Sequence, residues 1–114
     1  DLQKLVHLFA CATGLGLALQ APLASAQTDA EKLLDEKRCY ACHQLETASL
    51  GPPYQAIAAR HAARKNVMLD VLARKIVHGG GGNWGVVPMV PNQWVSPEEA
   101  QVMASWILSL GDKQ

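Results

Sequence analysis

The chain has 114 residues, with ten acidic and ten basic side chains and a formal net charge of zero. A chain of this length forms one domain at most. Because no basic excess is present, the composition does not favour nucleic acid binding, and no acidic run indicates a solvating tail. Neutrality instead favours partners that contact a partly apolar surface.

The first 26 residues have the pattern of a secretory leader. Lys4 is followed by a long apolar stretch, and the small residues at 24–26 fit the site that signal peptidase accepts. We therefore expect cleavage between Ala26 and Gln27, which leaves a mature domain of residues 27–114. A domain this small buries little apolar surface, so we expect another group to supply part of its core.

Two other interpretations of the leader stay open. The segment could be a retained membrane anchor, although glycines, Gln20 and Pro22 interrupt a run that would need roughly 20 apolar residues. Cys11 resembles the cysteine of a lipoprotein cleavage site, but the apolar run before it is short and continues past it. Cleavage at the small residues fits better and leaves Cys39 and Cys42 as the cysteines of the mature chain.

Capping signals and helical periodicity divide the mature chain into four helices, and no segment alternates with the period of a strand. A capping box of Thr28 and Glu31 is expected to start the first helix, which runs to about Arg38. A tight turn over 39–43 and a loop that ends in two prolines follow. The second helix is short and is predicted over 54–61.

The third helix is predicted over 66–78 and ends where Gly79 can take the left-handed C-cap conformation. After a loop with two prolines, Ser96 and Glu99 form a second capping box, and Gly111 is expected to end the last helix. The predicted fold is therefore all-α. The residues expected to face its core are Ala30, Leu33, Leu34, Ile57, Ala58, Met68, Leu69, Leu72, Ala73, Ile76, Val102, Met103, Trp106, Ile107 and Leu110.

The segment Cys39-Tyr40-Ala41-Cys42-His43 has the spacing of a c-type haem attachment motif. Cysteines three residues apart on one helical turn face the same way, so both thiols can add to the two vinyl groups of one haem edge. His43 can then bind the iron as proximal ligand. A redox-active cysteine pair would need a βαβ setting, and a zinc site would need more cysteine or histidine ligands, so the motif favours haem.

A second axial ligand has to come from elsewhere in the chain. Met89 lies between Pro88 and Pro91 in a stiff loop, whereas the other methionines lie on helix stripes, where methionine usually fills the core. His61 and His78 are competing candidates. Both lie at predicted helix ends, where a surface histidine favoured by the helix dipole is the simpler interpretation, so Met89 is the expected ligand.

The attachment motif is accompanied by Leu50-Gly51-Pro52-Pro53-Tyr54, Trp84-Gly85, Pro88-Met89, Pro91-Asn92 and Trp106-Ile107-Leu108. With these motifs the mature chain resembles the class I cytochromes c, specifically the short bacterial periplasmic cytochromes of the c-551 type. The resemblance implies four to five short helices wrapped around one haem c, bound covalently through Cys39 and Cys42. The glycine run at 79–82 is richer in glycine than the usual linker of that family.

The resemblance also implies roles for residues around the haem. The carbonyl of Pro52 would accept a hydrogen bond from His43, which would fix the ring and raise its basicity. Asn92 would donate a hydrogen bond to the sulfur of Met89.

Two further residues are expected near a haem propionate because of the resemblance. Trp84 would donate a hydrogen bond to the propionate, and Lys75 would place a cation near it. Loop packing for Trp84 and a solvated helix position for Lys75 stay open as alternatives.

The function implied by the resemblance is that of a monomeric periplasmic electron carrier, not an enzyme. Its partners would be redox proteins, with a membrane quinol-oxidising complex as donor and a terminal reductase, oxidase or peroxidase as acceptor. Neither nucleic acid nor, after cleavage, a membrane is an expected partner. The alternatives are an enzyme or gas sensor with Met89 unligated, a module of a larger complex, and a redox or metal protein without haem.

Overall fold

The computed structural model describes residues 14, 16–17 and 23–113. Apart from one β-bridge, these residues form only helices and loops, which confirms the all-α prediction. The α-helices are α1, Leu23–Glu36; α2, Tyr54–His61; α3, Lys65–His78; and α4, Pro97–Ser109; short 3-10 turns cover Cys39–Ala41, Ala62–Arg64 and Leu110–Lys113. Most of the predicted leader, including Lys4 and Cys11, lies outside the described residues. In the described part, no helix has the length and apolar character that a membrane crossing requires.

The first helix differs from the prediction at both ends. It begins at Leu23, so Thr28 lies inside the helix and not at its N-cap. Residues 23–27 are mostly good helix formers, and they extend the helix through the predicted cleavage point. At the other end α1 stops at Glu36, because Arg38 takes the left-handed conformation, with φ of 63° and ψ of 28°.

The core lies where α4 packs against the other three helices. Ala100 and Ala104 are fully buried, and these small residues let the neighbouring helices approach α4 closely. The prediction that Val102 faces inward is wrong, since this side chain is 40% exposed. Successive residues are rotated by about 100° around a helix, so the face that buries Met103 turns Val102 towards solvent.

The structure confirms some of the predicted ends of α3 and α4 and corrects others. Gly79 follows α3 with the expected positive φ of 67°, but its ψ of −156° is not that of a left-handed helical cap. At the start of α4 the predicted capping box is confirmed: the Ser96 hydroxyl accepts from the Glu99 amide at 3.1 Å, and the Glu99 carboxylate accepts from the Ser96 amide at 2.9 Å. Gly111 does not end α4, because it lies in the following 3-10 turn.

Candidate haem-binding site

The attachment segment, residues 38–54, begins with a turn that is fixed by its own backbone. The amides of Cys42 and His43 donate to the carbonyl of Cys39 at 3.2 and 3.0 Å. Both cysteines are half-buried and unpaired. Burial raises the pKa of the Cys39 thiol, so before haem attachment this group is a neutral thiol at neutral pH.

The ring of His43 is held on two sides. Its Nδ1 lies 2.7 Å from the carbonyl oxygen of Pro52, the contact that the resemblance implies. A carbonyl oxygen only accepts, so Nδ1 carries the proton and Nε2 keeps its lone pair for a metal. A Cβ atom at Gly51 would lie 2.5 Å from His43 Cε1, so only glycine allows the loop to pass this close to the ring.

Tyr54 is a site residue that the sequence analysis did not assign. Its ring stacks on that of His43, with centroids 5.5 Å apart, and meets the rings of Tyr40 and Trp106 edge-on. The signal in the sequence is its position at the first residue of α2, directly after the prolines that hold His43. Burial raises the pKa of the Tyr54 hydroxyl, which keeps this group neutral.

An apolar cleft opens beside these residues, and His43 and Met89 both line it. The other lining residues are Leu34, Cys39, Tyr54, Ile57, Leu72, Lys75, Ile76 and Ile107. The hydroxyl of Tyr54 is buried and has no hydrogen-bond partner among the described residues. A thiol, an imidazole with a free Nε2 and a thioether around one apolar cleft are the groups that a covalent haem needs, so the residues fit it.

Met89 belongs to the methionine loop, residues 79–95, which follows α3. Gly80 and Met89 exchange two backbone hydrogen bonds, of 2.9 and 2.8 Å, and close the loop into a ring. The buried side chain of Asn92 donates to the carbonyl of Ile76 in α3 at 2.8 Å. This bond uses one of the two amide hydrogens of Asn92, and its expected contact with the Met89 sulfur stays a prediction.

The competing histidines do not line this cleft. His61 is buried at the end of α2, so the interpretation of His61 as a surface residue is wrong. The final 3-10 turn covers this part of α2, and a Cβ at Gly111 would lie 3.3 Å from the carbonyl of Ala58. His78 is exposed. Within the part of the chain that the structure describes, no three His, Cys, Asp or Glu residues form a group that could hold a metal ion.

The two residues expected near a propionate have different surroundings. Lys75 lines the cleft, and its Nζ approaches Gly80. Trp84 is 43% exposed, and the guanidinium carbon of Arg60 lies 4.6 Å from the centre of its ring. The sequence analysis missed Arg60, because no local pattern indicates that α2 and a distant loop meet.

Known proteins share these features. The cytochrome c family model matches residues 27–111. A cytochrome c-551 from Stutzerimonas stutzeri is 42% identical over 99 residues, which cover 87% of this chain and 90% of the relative. A cytochrome c-552 from Hydrogenobacter thermophilus is 48% identical over 80 residues, covering 70% of this chain and 80% of the relative.

Solved structures give the same assignment. The crystal structure of Nitrosomonas europaea cytochrome c552 matches with a TM-score of 0.67 at 44% identity, over 70% of this chain and 98% of that one. The fold, the attachment motif and these relatives agree. The chain therefore belongs to the cytochrome c family, as a class I monohaem electron carrier of the c-551 type with one haem c attached through Cys39 and Cys42.

Proposed function

We propose that this chain is exported and works as a periplasmic one-electron carrier in which His43 and Met89 are the axial ligands of the haem iron. The observation that carries this proposal is that both residues line one apolar cleft, although they come from segments far apart in the sequence. Neither His61 nor His78 lines that cleft.

The protein residues explain why the site transfers electrons. The bound haem supplies an iron that can gain or lose one electron. His43 presents Nε2 because Pro52 holds its other nitrogen. Met89 would add a soft thioether, which would favour the reduced iron and raise the reduction potential. If His43 and Met89 both bind the iron, it would offer no open position to a substrate, which would favour electron transfer over catalysis.

Partner proteins would dock on the apolar surface of the methionine loop. Val86 is 98% exposed, and Val87 and Val90 are more than half exposed. The chain has no net charge, so contact between apolar surfaces suits docking better than bulk charge attraction. We propose a membrane quinol-oxidising complex as donor and a terminal reductase, oxidase or peroxidase as acceptor, with the carrier acting as a monomer.

The ligand assignment is tested by optical spectroscopy and redox titration of the purified protein. We expect a weak sulfur-to-iron band in the ferric protein and no carbon monoxide binding by the ferrous protein. Met89→Ala should abolish the band, admit carbon monoxide and lower the potential, because a water or nitrogen ligand favours ferrous iron less than methionine does.

The matched control for the ligand test is Met68→Ala. Met68 is a half-buried residue of α3 that does not line the cleft, so its replacement should leave band and potential unchanged. Rapid carbon monoxide binding by the unaltered protein, with no sulfur band, would make a sensor or enzyme the better account.

The export proposal rests on the leader pattern, and the family match that begins at residue 27 supports it. After cleavage at Ala26, Thr28 could serve as the N-cap of a shortened α1. Mass spectrometry of the periplasmic fraction should find haem-bearing protein that begins at Gln27. Protein that keeps residues 1–26 and stays with the membrane would support the anchor instead.

A further inference from the structure

The tip of the methionine loop, residues 81–88, has little backbone support of its own. In the described structure, no backbone–backbone hydrogen bond involves these residues. Gly82 and Gly85 take positive φ angles of 88° and 108°, in a region that glycine enters freely. Trp84 lies between them, so its ring direction is not fixed by the local backbone.

Arg60 supplies the missing support from outside the loop. Its Nη1 donates to the carbonyl of Asn83 at 2.6 Å, and its guanidinium lies over the ring of Trp84 at 4.6 Å. Arg60 thus contacts both the backbone of the tip, at Asn83, and the side chain of Trp84. Arg60 forms no ion pair with the described acidic residues, so no carboxylate competes with the loop for its guanidinium.

Arg60 is itself well anchored. It lies in the last turn of α2, and this helix buries Ile57 and Ala58 in the core. The planar guanidinium can stack on an indole and donate in its own plane at the same time, which a lysine ammonium cannot do. Arg60 therefore fixes the tip of the methionine loop relative to α2, although the glycines of the tip allow many backbone conformations.

We propose that Arg60 is a positioning residue for the haem propionate contact: it orients Trp84, and with Lys75 it surrounds that carboxylate with positive charge. The inference rests on the proposed function and on the donation from the Trp84 indole to a propionate that the resemblance implies. Lys75 contacts the loop near Gly80, and Arg60 contacts it at the tip. Two cations that contact one loop favour the ionised carboxylate and the reduced iron.

The test compares Arg60→Met and Arg60→Lys with Arg64→Met in the haem-loaded protein. Arg64 is an exposed arginine just beyond α2, so the control removes an equal charge nearby. The first readout is the hydrogen exchange of the Trp84 indole N–H by NMR of the ferrous protein, assigned with Trp84→Phe. The second is the pH dependence of the reduction potential.

We expect both Arg60 variants to speed exchange of the Trp84 N–H several-fold, and Arg64→Met to leave it unchanged. Arg60→Met should also lower the potential and move the propionate-linked pH dependence to higher pH, because a cation that favours the carboxylate is gone. Arg60→Lys keeps the charge, so its potential should fall less while its N–H exchange still rises.

Unchanged exchange in Arg60→Met, or full rescue of exchange by Arg60→Lys, would overturn the positioning role. An equal effect from Arg64→Met would do the same. These outcomes are distinct from a failure of the proposed function, which would appear as a missing sulfur-to-iron band in the unaltered protein.

Discussion

The two segments that supply the expected iron ligands are held in different ways. The attachment segment, residues 38–54, is fixed by short-range backbone bonds, such as that from the His43 amide to the Cys39 carbonyl at 3.0 Å. The methionine loop, residues 79–95, is tied near its two ends, and its tip has no such bond within the described structure. One ligand is thus placed by its neighbours in the sequence, and the other by contacts with α2 and α3.

Because the two segments are held in different ways, a substitution should be able to affect ligation by methionine without affecting attachment of the haem. A change in the methionine loop should alter Met89 and leave the thioether bonds intact, because those bonds depend on a turn that is fixed by its own backbone hydrogen bonds. A change in the attachment segment should instead act on His43. The following substitutions probe the two segments, starting with the largest expected effect.

Gly79→Ala should detach the methionine loop while leaving the haem bound. A Cβ atom at Gly79 would collide with the carbonyl oxygen of Met89, and the positive φ of 67° adds strain. We expect a loss of about 1–2 kcal/mol from the backbone strain and about 1–3 kcal/mol from overpacking. The measurements are the sulfur-to-iron band, which should weaken, and the free energy of unfolding.

Gly82→Ala is the matched control for the methionine loop. Gly82 also has a positive φ, of 88°, but a Cβ atom there would have open space around it. The variant should lose only the strain contribution, about 1–2 kcal/mol, and keep the sulfur band. Equal losses in the two variants would show that the close approach of Gly79 to Met89 does not hold the ligand.

Gly51→Ala should act on the histidine side instead. A new methyl group 2.5 Å from Cε1 forces the His43 ring away from Pro52. Loss of that hydrogen bond lowers the basicity of the imidazole, so the reduction potential should rise. We expect a stability loss of about 1–3 kcal/mol with the sulfur band retained.

Gly111→Ala provides the comparison for this substitution, since it adds the same methyl group against α2, near the Ala58 carbonyl. Its potential should match that of the unaltered protein. A potential that stays constant in Gly51→Ala would mean that the Pro52 contact has no influence on the iron.

Local signals in the sequence were sufficient where the structure is local. The bounds of α2 and the capping box of Ser96 and Glu99 follow from residues within one turn of each other. The left-handed Arg38 and the contact between Arg60 and the loop were not predictable in this way. They depend on how the helices pack, which no short pattern encodes.

The burial of His61 was also not predictable from a short pattern. It should make the stability of the folded protein sensitive to acid. Burial, and then the nearby Arg60 and Arg64, lower the pKa of His61. The unfolded chain therefore binds a proton more readily than the folded one. The contribution of neutral His61 to stability is present above about pH 6.5, the ordinary histidine pKa, and is lost as the pH falls below it.

His61→Phe should remove this acid sensitivity. Its Nδ1 is buried without a partner among the described residues, so the substitution should also add about 1–3 kcal/mol at neutral pH. Urea unfolding as a function of pH measures both effects. His78→Phe, which replaces an exposed histidine, is the control for the change of side chain. If the stability of His61→Phe fell more steeply in acid than that of the unaltered protein, the lowered pKa of His61 would be contradicted.

The smallest effect is expected where the end of the methionine loop meets the residue just before the attachment segment. Lys37, directly after α1, donates to the Trp94 carbonyl at 3.2 Å and pairs with the Glu99 carboxylate at 3.1 Å. The bond from the Ser96 amide, and then Lys37, lower the pKa of Glu99. The ion pair thus contributes stability above about pH 4.3, the ordinary glutamate value, and this is lost as the pH falls through the folded pKa.

Lys37→Met should therefore lower the melting temperature slightly at neutral pH, and less in acid, where only the bond to Trp94 still distinguishes the two proteins. The control is Lys32→Met, which removes an exposed lysine that pairs with Glu36 at 3.7 Å within α1. Such a pair contributes little, so its loss should have almost no effect at any pH. If the two variants behave alike, the contacts of Lys37 do not stabilise this junction. If Lys37→Met also weakens the sulfur-to-iron band, these contacts help to hold Met89 in place.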